Sequence, residues 1–219
     1  MNEMLFLLHL ALCMLFLLPL IRLKKEGLVC WVAILPLLAN LFVLKQITLF
    51  GFTVTAADVY AVACALGLNL LQEYYGKESA KQAVKISFVL LLFFVVMAYT
   101  HILYIPSGCD YTQTAYSTIL STTPRLVFAS ITSFFLVQSF DVFFFGLLKE
   151  RAKALGLFGR NIASLTLSQF VDTLLFTILG LWGLVEELFD VFIISFIIKL
   201  TIGLLLSLPT LRKNAYVQV

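Results

Sequence analysis

Charge is what this chain has least of. Only 12% of its 219 residues are Asp, Glu, Lys or Arg, while 62% are apolar and the mean hydropathy is +1.04. An ordinary soluble domain is about 45–50% apolar and about 25% charged, so a conventional globular protein is excluded. Histidine is scarce, with two residues, and the four cysteines show neither metal-ligand nor disulfide spacing; they read as free thiols. There is no phosphate-binding glycine loop, so the chain cannot itself hydrolyse ATP. It also has no GxSxG elbow, no histidine-rich cluster and no serine–histidine pairing at a matching depth. No enzymatic activity, cofactor or metal is therefore expected. Linkers and low-complexity tracts are missing, as is room for a soluble domain. The net charge of +3 follows from topology, and no nucleic-acid patch is read into it.

What is there is a succession of apolar runs. The chain has room for six or seven membrane spans of about 20 residues. The candidates are 4–21, 28–45, 53–72, 86–105, 124–148, 162–183 and 188–208, which make residues 1–219 one all-α polytopic helical bundle. The first run follows Glu3 without a basic n-region and ends in Ile21-Arg22-Leu23-Lys24-Lys25 rather than a small-residue cleavage site. It is expected to remain as a span.

Basic residues fall on alternate connections. Arg22, Lys24 and Lys25 come after span one, and Lys77, Lys81 and Lys85 after span three. Lys149, Arg151, Lys153 and Arg160 follow span five, and Arg212 and Lys213 lie in the tail. These are twelve of the fifteen basic residues, whereas Asp110, Glu186 and Glu187 fall on the other side. The positive-inside rule then predicts an outside N-terminus and a cytoplasmic C-terminus. The longest connection, 106–123, lies on the outer side and serves either as a lid over an outward mouth or as a plain surface loop.

Polar residues within the apolar runs carry the functional signal. Gln138-x-x-Asp141-x-x-x-Phe145 recurs 31 residues later as Gln169-x-x-Asp172-x-x-x-Phe176. An ionised Asp facing lipid is costly, so each should face a packed interior or a cavity, and Gln and Asp at i and i+3 share a helix face. Two such helices can aim two amides and two carboxyls into one pocket. Spans five and six run in opposite directions, as inverted repeats do around a midplane transport site. Ser164 and Ser168 lie nearby at i+4 spacing.

Other positions complete the candidate set. Asn40, four residues after Pro36, can line a cavity or act as interhelical glue. Asn69 and Glu73 share a face at the end of span three, and Glu73 can serve the pocket or pair with Lys77. Asp58 reads as an interfacial charge. Lys199, halfway through span seven, either pairs with an acid such as Asp172 or snorkels to an interface. The binding set is thus Asp141, Asp172, Gln138 and Gln169, with Glu73, Asn69 and Asn40 as further lining residues. Arg160 and Lys199 are the gating or charge-partner residues.

The order of these landmarks resembles the queuosine-precursor transporter family, also described as putative vitamin uptake transporters. The resemblance covers roughly residues 36–180. It is carried by Asn40 and Lys45 before Leu49-Phe50-Gly51, by Glu73-Tyr74-Tyr75-Gly76-Lys77 and by Gln138-Ser139-Phe140-Asp141. Arg160-Asn161-Ile162-Ala163-Ser164 and Ser168-Gln169-Phe170-Val171-Asp172-Thr173 complete it. Tyr75 departs from the family pattern, and the first span carries no recognisable motif. The resemblance implies a bacterial inner-membrane importer of 7-deazaguanines, such as preQ0, preQ1 or queuine, salvaged for tRNA queuosine. The implied partners are that small molecule and the lipid bilayer, with no nucleic acid; association of several copies stays open. Two other readings compete: a substrate-binding membrane subunit of an energy-coupled vitamin uptake complex, and a non-transporting membrane assembly protein.

Overall fold

The computed structural model describes residues 1–42, 45–120, 124–182 and 188–207. The shared feature of the apolar runs, length without charge, resolves among the described residues into seven long helices. They are α1 (Asn2–Arg22), α2 (Lys24–Phe42), α3 (Asp58–Tyr75), α4 (Lys77–Ile102), α6 (Pro124–Arg151), α7 (Leu157–Phe176) and α8 (Leu188–Ser207). A short helix, α5 (Gln113–Leu120), lies between α4 and α6. Among the described residues five helices are long and apolar enough to cross a membrane, namely α1, α2, α4, α6 and α7, and α8 contains a shorter apolar stretch. The protein is an all-α polytopic bundle.

Helix α3 is the exception in composition because of where it sits. It packs against α1, α2, α4, α6, α7 and α8. Thirteen of its eighteen residues are buried, against three of twenty-one in α1, so α3 is the axis and α1 the periphery. A helix enclosed by protein can carry Asp58, Asn69, Gln72 and Glu73, which a lipid-facing helix cannot. Small residues allow the close approach that drives association inside lipid. At Gly67 a Cβ would stand 2.7 Å from Cδ1 of Trp31 on α2. One turn earlier the Trp31 indole donates to the Ala63 carbonyl at 3.2 Å.

Pro36 leaves the Val32 carbonyl without its helical partner, as an internal proline does to residue i−4. That carbonyl accepts instead from the Ser87 hydroxyl at 3.0 Å and lies 3.7 Å from the Cys64 sulfur. The kink therefore ties α2 to α3 and α4.

The segment before α3 differs from the expectation. A span over 53–72 is replaced by an antiparallel hairpin of β1 (Gln46–Leu49) and β2 (Phe52–Thr55), and the helix begins only at Asp58. Phe50 and Gly51 both have positive φ, 50° and 88°, as a two-residue type I′ turn requires. The hairpin sits on the start of α1: the Asn2 amide donates to the Thr48 carbonyl at 3.0 Å, and the Phe50 N–H donates to Glu3 at 3.3 Å.

Two other boundaries move. Gly76, at φ 84°, ends α3, and α4 begins at once, so Lys77, Lys81 and Lys85 lie on its first turns rather than in a connection. The connection 106–123 contains α5, none of whose residues is buried. It is held to the end of α4 by Gln113, which donates to the Ile102 carbonyl at 3.3 Å. Just before α5, the Thr112 hydroxyl and N–H both donate to Asp110 at 2.7 Å and hold its carboxyl below the usual range. Glu186, Glu187, Arg212 and Lys213 lie outside the described residues.

Candidate functional site

Asp141 lies on the inward face of α6 and is fully buried. Its Oδ1 accepts from two serine hydroxyls of α7, Ser164 at 2.6 Å and Ser168 at 2.5 Å. The i+4 spacing stacks those serines on one face, so a single oxygen can receive both. The other oxygen, Oδ2, has no hydrogen-bond partner, and no cation lies within ion-pair distance among the described residues. A buried carboxylate is ordinarily paired or neutralised, because burying an unpaired charge is expensive.

Bare amides lie on the three helices that meet here. Gln138, one turn before Asp141, places its Nε2 3.6 Å from Cys64 of α3 and leaves Oε1 without a partner. Eight residues further on, a Cβ on Gly146 of α6 would stand 2.7 Å from Gln72 Nε2 of α3. The two contacts advance together by eight residues, so α3 and α6 run parallel, and Asn69 lies between these levels. Both amide atoms of Asn69, both of Asn161, and the Oε1 atoms of Gln72 and Gln169 are buried without partners. Eight residues of helix span about 12 Å, the scale of a small heterocycle with a substituent. Native interiors satisfy nearly all buried polar groups, so a concentration of unsatisfied ones on three facing helices calls for a ligand or water.

The expected residues do not all converge here. Asp172 is engaged elsewhere: its Oδ2 accepts from Lys199 Nζ of α8 at 2.6 Å. Lys199 also lies 3.7 Å from Asp58 of α3, so Asp58 is a buried ion-pair member rather than an interfacial charge. Glu73 pairs with Arg160 at 2.7 Å and Lys149 at 3.5 Å, not with Lys77. Lys149 also donates to the Gln72 and Glu73 carbonyls at 3.2 and 2.6 Å, where a cation suits the end of a helix. Lys77 instead stands over the Phe143 ring, 5.4 Å from its centroid. Asn40 donates to the Pro36 carbonyl at 2.9 Å and accepts from Ser130 of α6 at 3.0 Å. It lines a separate cleft with Phe94, Ala98, Tyr99, Ile119 and Leu120.

Along α3 these groups form three levels: the Asp58 triad near its start, the Asp141 cluster in the middle, and the Glu73 pairs at its end. Sequence reasoning did not place Gln72 or Asn161 in the binding set. Asn161 carries a usable signal, since it continues the Ser164 and Ser168 face at i−3 and i−7. Gln72 adjoins Glu73, whose charge draws attention from it.

A family model described as "Putative vitamin uptake transporter" matches residues 55–212. The chain is 31% identical over 188 residues to a Bacillus subtilis (strain 168) protein described as "Probable queuosine precursor transporter". That match covers 84% of this chain and 82% of the relative. No solved structure matches.

Proposed function

The chain belongs to the putative vitamin uptake transporter family, and from that premise we propose that it imports queuosine precursors of the 7-deazaguanine class. The carrying observation is the buried cluster around Asp141, whose unpartnered atoms are mostly acceptors: Asp141 Oδ2 and the side-chain oxygens of Gln138, Gln169 and Gln72. A 7-deazaguanine presents ring N–H and amino donors along one edge, with a carbonyl acceptor beside them. The carboxylate and glutamine oxygens complement the donors, and the Asn69 and Asn161 amides, able both to donate and to accept, complement the rest. Phe145, one turn beyond Asp141 and fully buried, is the aromatic suited to a ring face. Substrate binding is thus assigned to Asp141, Gln138, Gln169 and Asn69, with Gln72 and Asn161 added.

Ser164 and Ser168 hold Asp141 by one oxygen and keep the other aimed at the ligand. Arg160 and Lys149 close the end of α3 through Glu73, and Asn40 braces α2 against α6. We place the protein in the bacterial inner membrane with the basic connections in the cytoplasm, as their one-sided distribution supports.

The test is uptake of labelled 7-deazaguanine by bacterial cells lacking their own importer. The wild-type chain should restore accumulation, and Asp141→Asn, at equal membrane abundance, should reduce it at least about tenfold through loss of one charge-assisted hydrogen bond. On the same cells an impermeant maleimide should label Cys109, a free and exposed thiol in the connection 106–123, from outside. Normal accumulation with Asp141→Asn would remove the cluster from the binding site. A Cys109 reactive only after permeabilisation would invert the orientation.

A further inference from the structure

The Asp58–Lys199–Asp172 group is not used by substrate binding as assigned above, and its charges do not balance. Two carboxylates share one ammonium, with side chains 12%, 20% and 8% exposed, on α3, α7 and α8. The excess is one negative charge in a part of the bundle where isolated charge is costly. The two pairings are unequal: Lys199 is hydrogen-bonded to Asp172 at 2.6 Å but stands 3.7 Å from Asp58. Asp58 is therefore the member that can take up a proton without breaking the shorter bond.

Among the described residues, ionisable groups of α1, α3, α6 and α7 are engaged elsewhere, Asp141 of α6 with Ser164 and Ser168. His9 of α1 lies edge-on to Tyr60 of α3 at 4.9 Å, Arg160 of α7 is bound to Glu73, and Cys64 of α3 contacts Gln138. On the remaining side Lys199 lines a small cleft of about 10 Å³ with Ile162, Leu165, Thr166, Gly203 and Leu204. Those positions lie toward the start of α7, on the side of the bundle where Glu73 and Arg160 meet.

We propose that this triad is the proton-coupling site of the transporter, with Asp58 carrying one exchangeable proton. The proton enters on the Asp58 carboxylate from the side of the α3 start and leaves between α7 and α8, beside Lys199. Protonation cancels the Asp58–Lys199 attraction and loosens α8 from α3 while Lys199 stays on Asp172. The movement reaches the substrate site through α7, because Gln169 and Asp172 lie on one face at i and i+3. One turn beyond Asp172 the helix changes to a π-helical turn, Thr177–Leu181, a form that often marks functional positions within helices.

The proposal rests on the importer reading for its physiological meaning, but proton binding is measurable without substrate. Infrared titration of the purified proteins, read as the wild-type minus Asp58→Asn difference, should show one carboxyl C=O band that appears on acidification. Absence of that difference band would overturn the proposal. In membrane vesicles an inward proton gradient should stimulate wild-type uptake of labelled 7-deazaguanine. Asp58→Asn should lose the stimulation yet retain gradient-free counterflow. Stimulation kept by the variant, or supplied by a sodium gradient at fixed pH instead, would also overturn it. Wild-type vesicles without counterflow would sink the substrate reading, and the infrared result would still decide the triad.

Discussion

Two identical phrases, Gln-x-x-Asp-x-x-x-Phe, end in different chemistry. In α6 the acid is held by two serine hydroxyls on one oxygen and, among the described residues, has no cation; bare amides lie on the same three helices. In α7 the acid is bonded to a lysine that also faces a second carboxylate. The difference comes from what the neighbouring helix brings: α7 offers serines to Asp141, and α8 offers Lys199 to Asp172. A motif inside a membrane fixes which face is polar; its partner fixes whether that polarity binds, couples or only holds. A carboxylate left without a countercharge is available to a ligand, and a carboxylate already paired is not.

The largest expected effect lies in the second phrase. Lys199→Met leaves Asp58 and Asp172 together without their cation, and should cost about 3–5 kcal/mol of stability in detergent. Asp141→Asn strands no buried cation and keeps an acceptor for the serines, so its unfolding free energy should change by about 1 kcal/mol or less. Thermal unfolding of the two purified variants side by side checks the contrast. Equal losses would mean that Asp141 has a hidden countercharge.

A smaller effect sharpens the first phrase. Ser164→Ala and Ser168→Ala each remove one of two bonds to the same oxygen, and each should weaken substrate binding about fivefold, or about 1 kcal/mol. Binding by titration with labelled 7-deazaguanine measures it. Unchanged affinity in both variants would show that the serines do not position the carboxylate.

Much of the architecture was legible because lipid imposes it. Length and low charge gave seven long helices, and the starts of α6 and α8 agree with the expected spans at 124 and 188. The start of α3 was displaced from 53 to 58 because Val54, Ala56 and Ala57 continue its apolar run; the alternation of Thr53 and Thr55 with Val54 and the preceding Phe50-Gly51 turn were the contrary signals. The site was legible in part. Spacing put Gln138 with Asp141, and Ser164 with Ser168, on shared faces, since both pairs are local. Which acid meets which partner is a tertiary fact: Asp141 reaches its serines across 23 and 27 residues, and Lys199 draws in Asp58 from the far end of α3. No local pattern at Asp58 distinguishes a buried ion pair from an interfacial charge.

The divergence of the two phrases is tested most directly by equilibrium binding of labelled 7-deazaguanine to purified wild-type, Asp141→Asn and Asp172→Asn proteins. The account predicts at least about tenfold weaker binding with Asp141→Asn, from the lost charge-assisted hydrogen bond, and near wild-type affinity with Asp172→Asn. Equal loss in both variants would contradict it and return the two acids to a single, symmetric pocket.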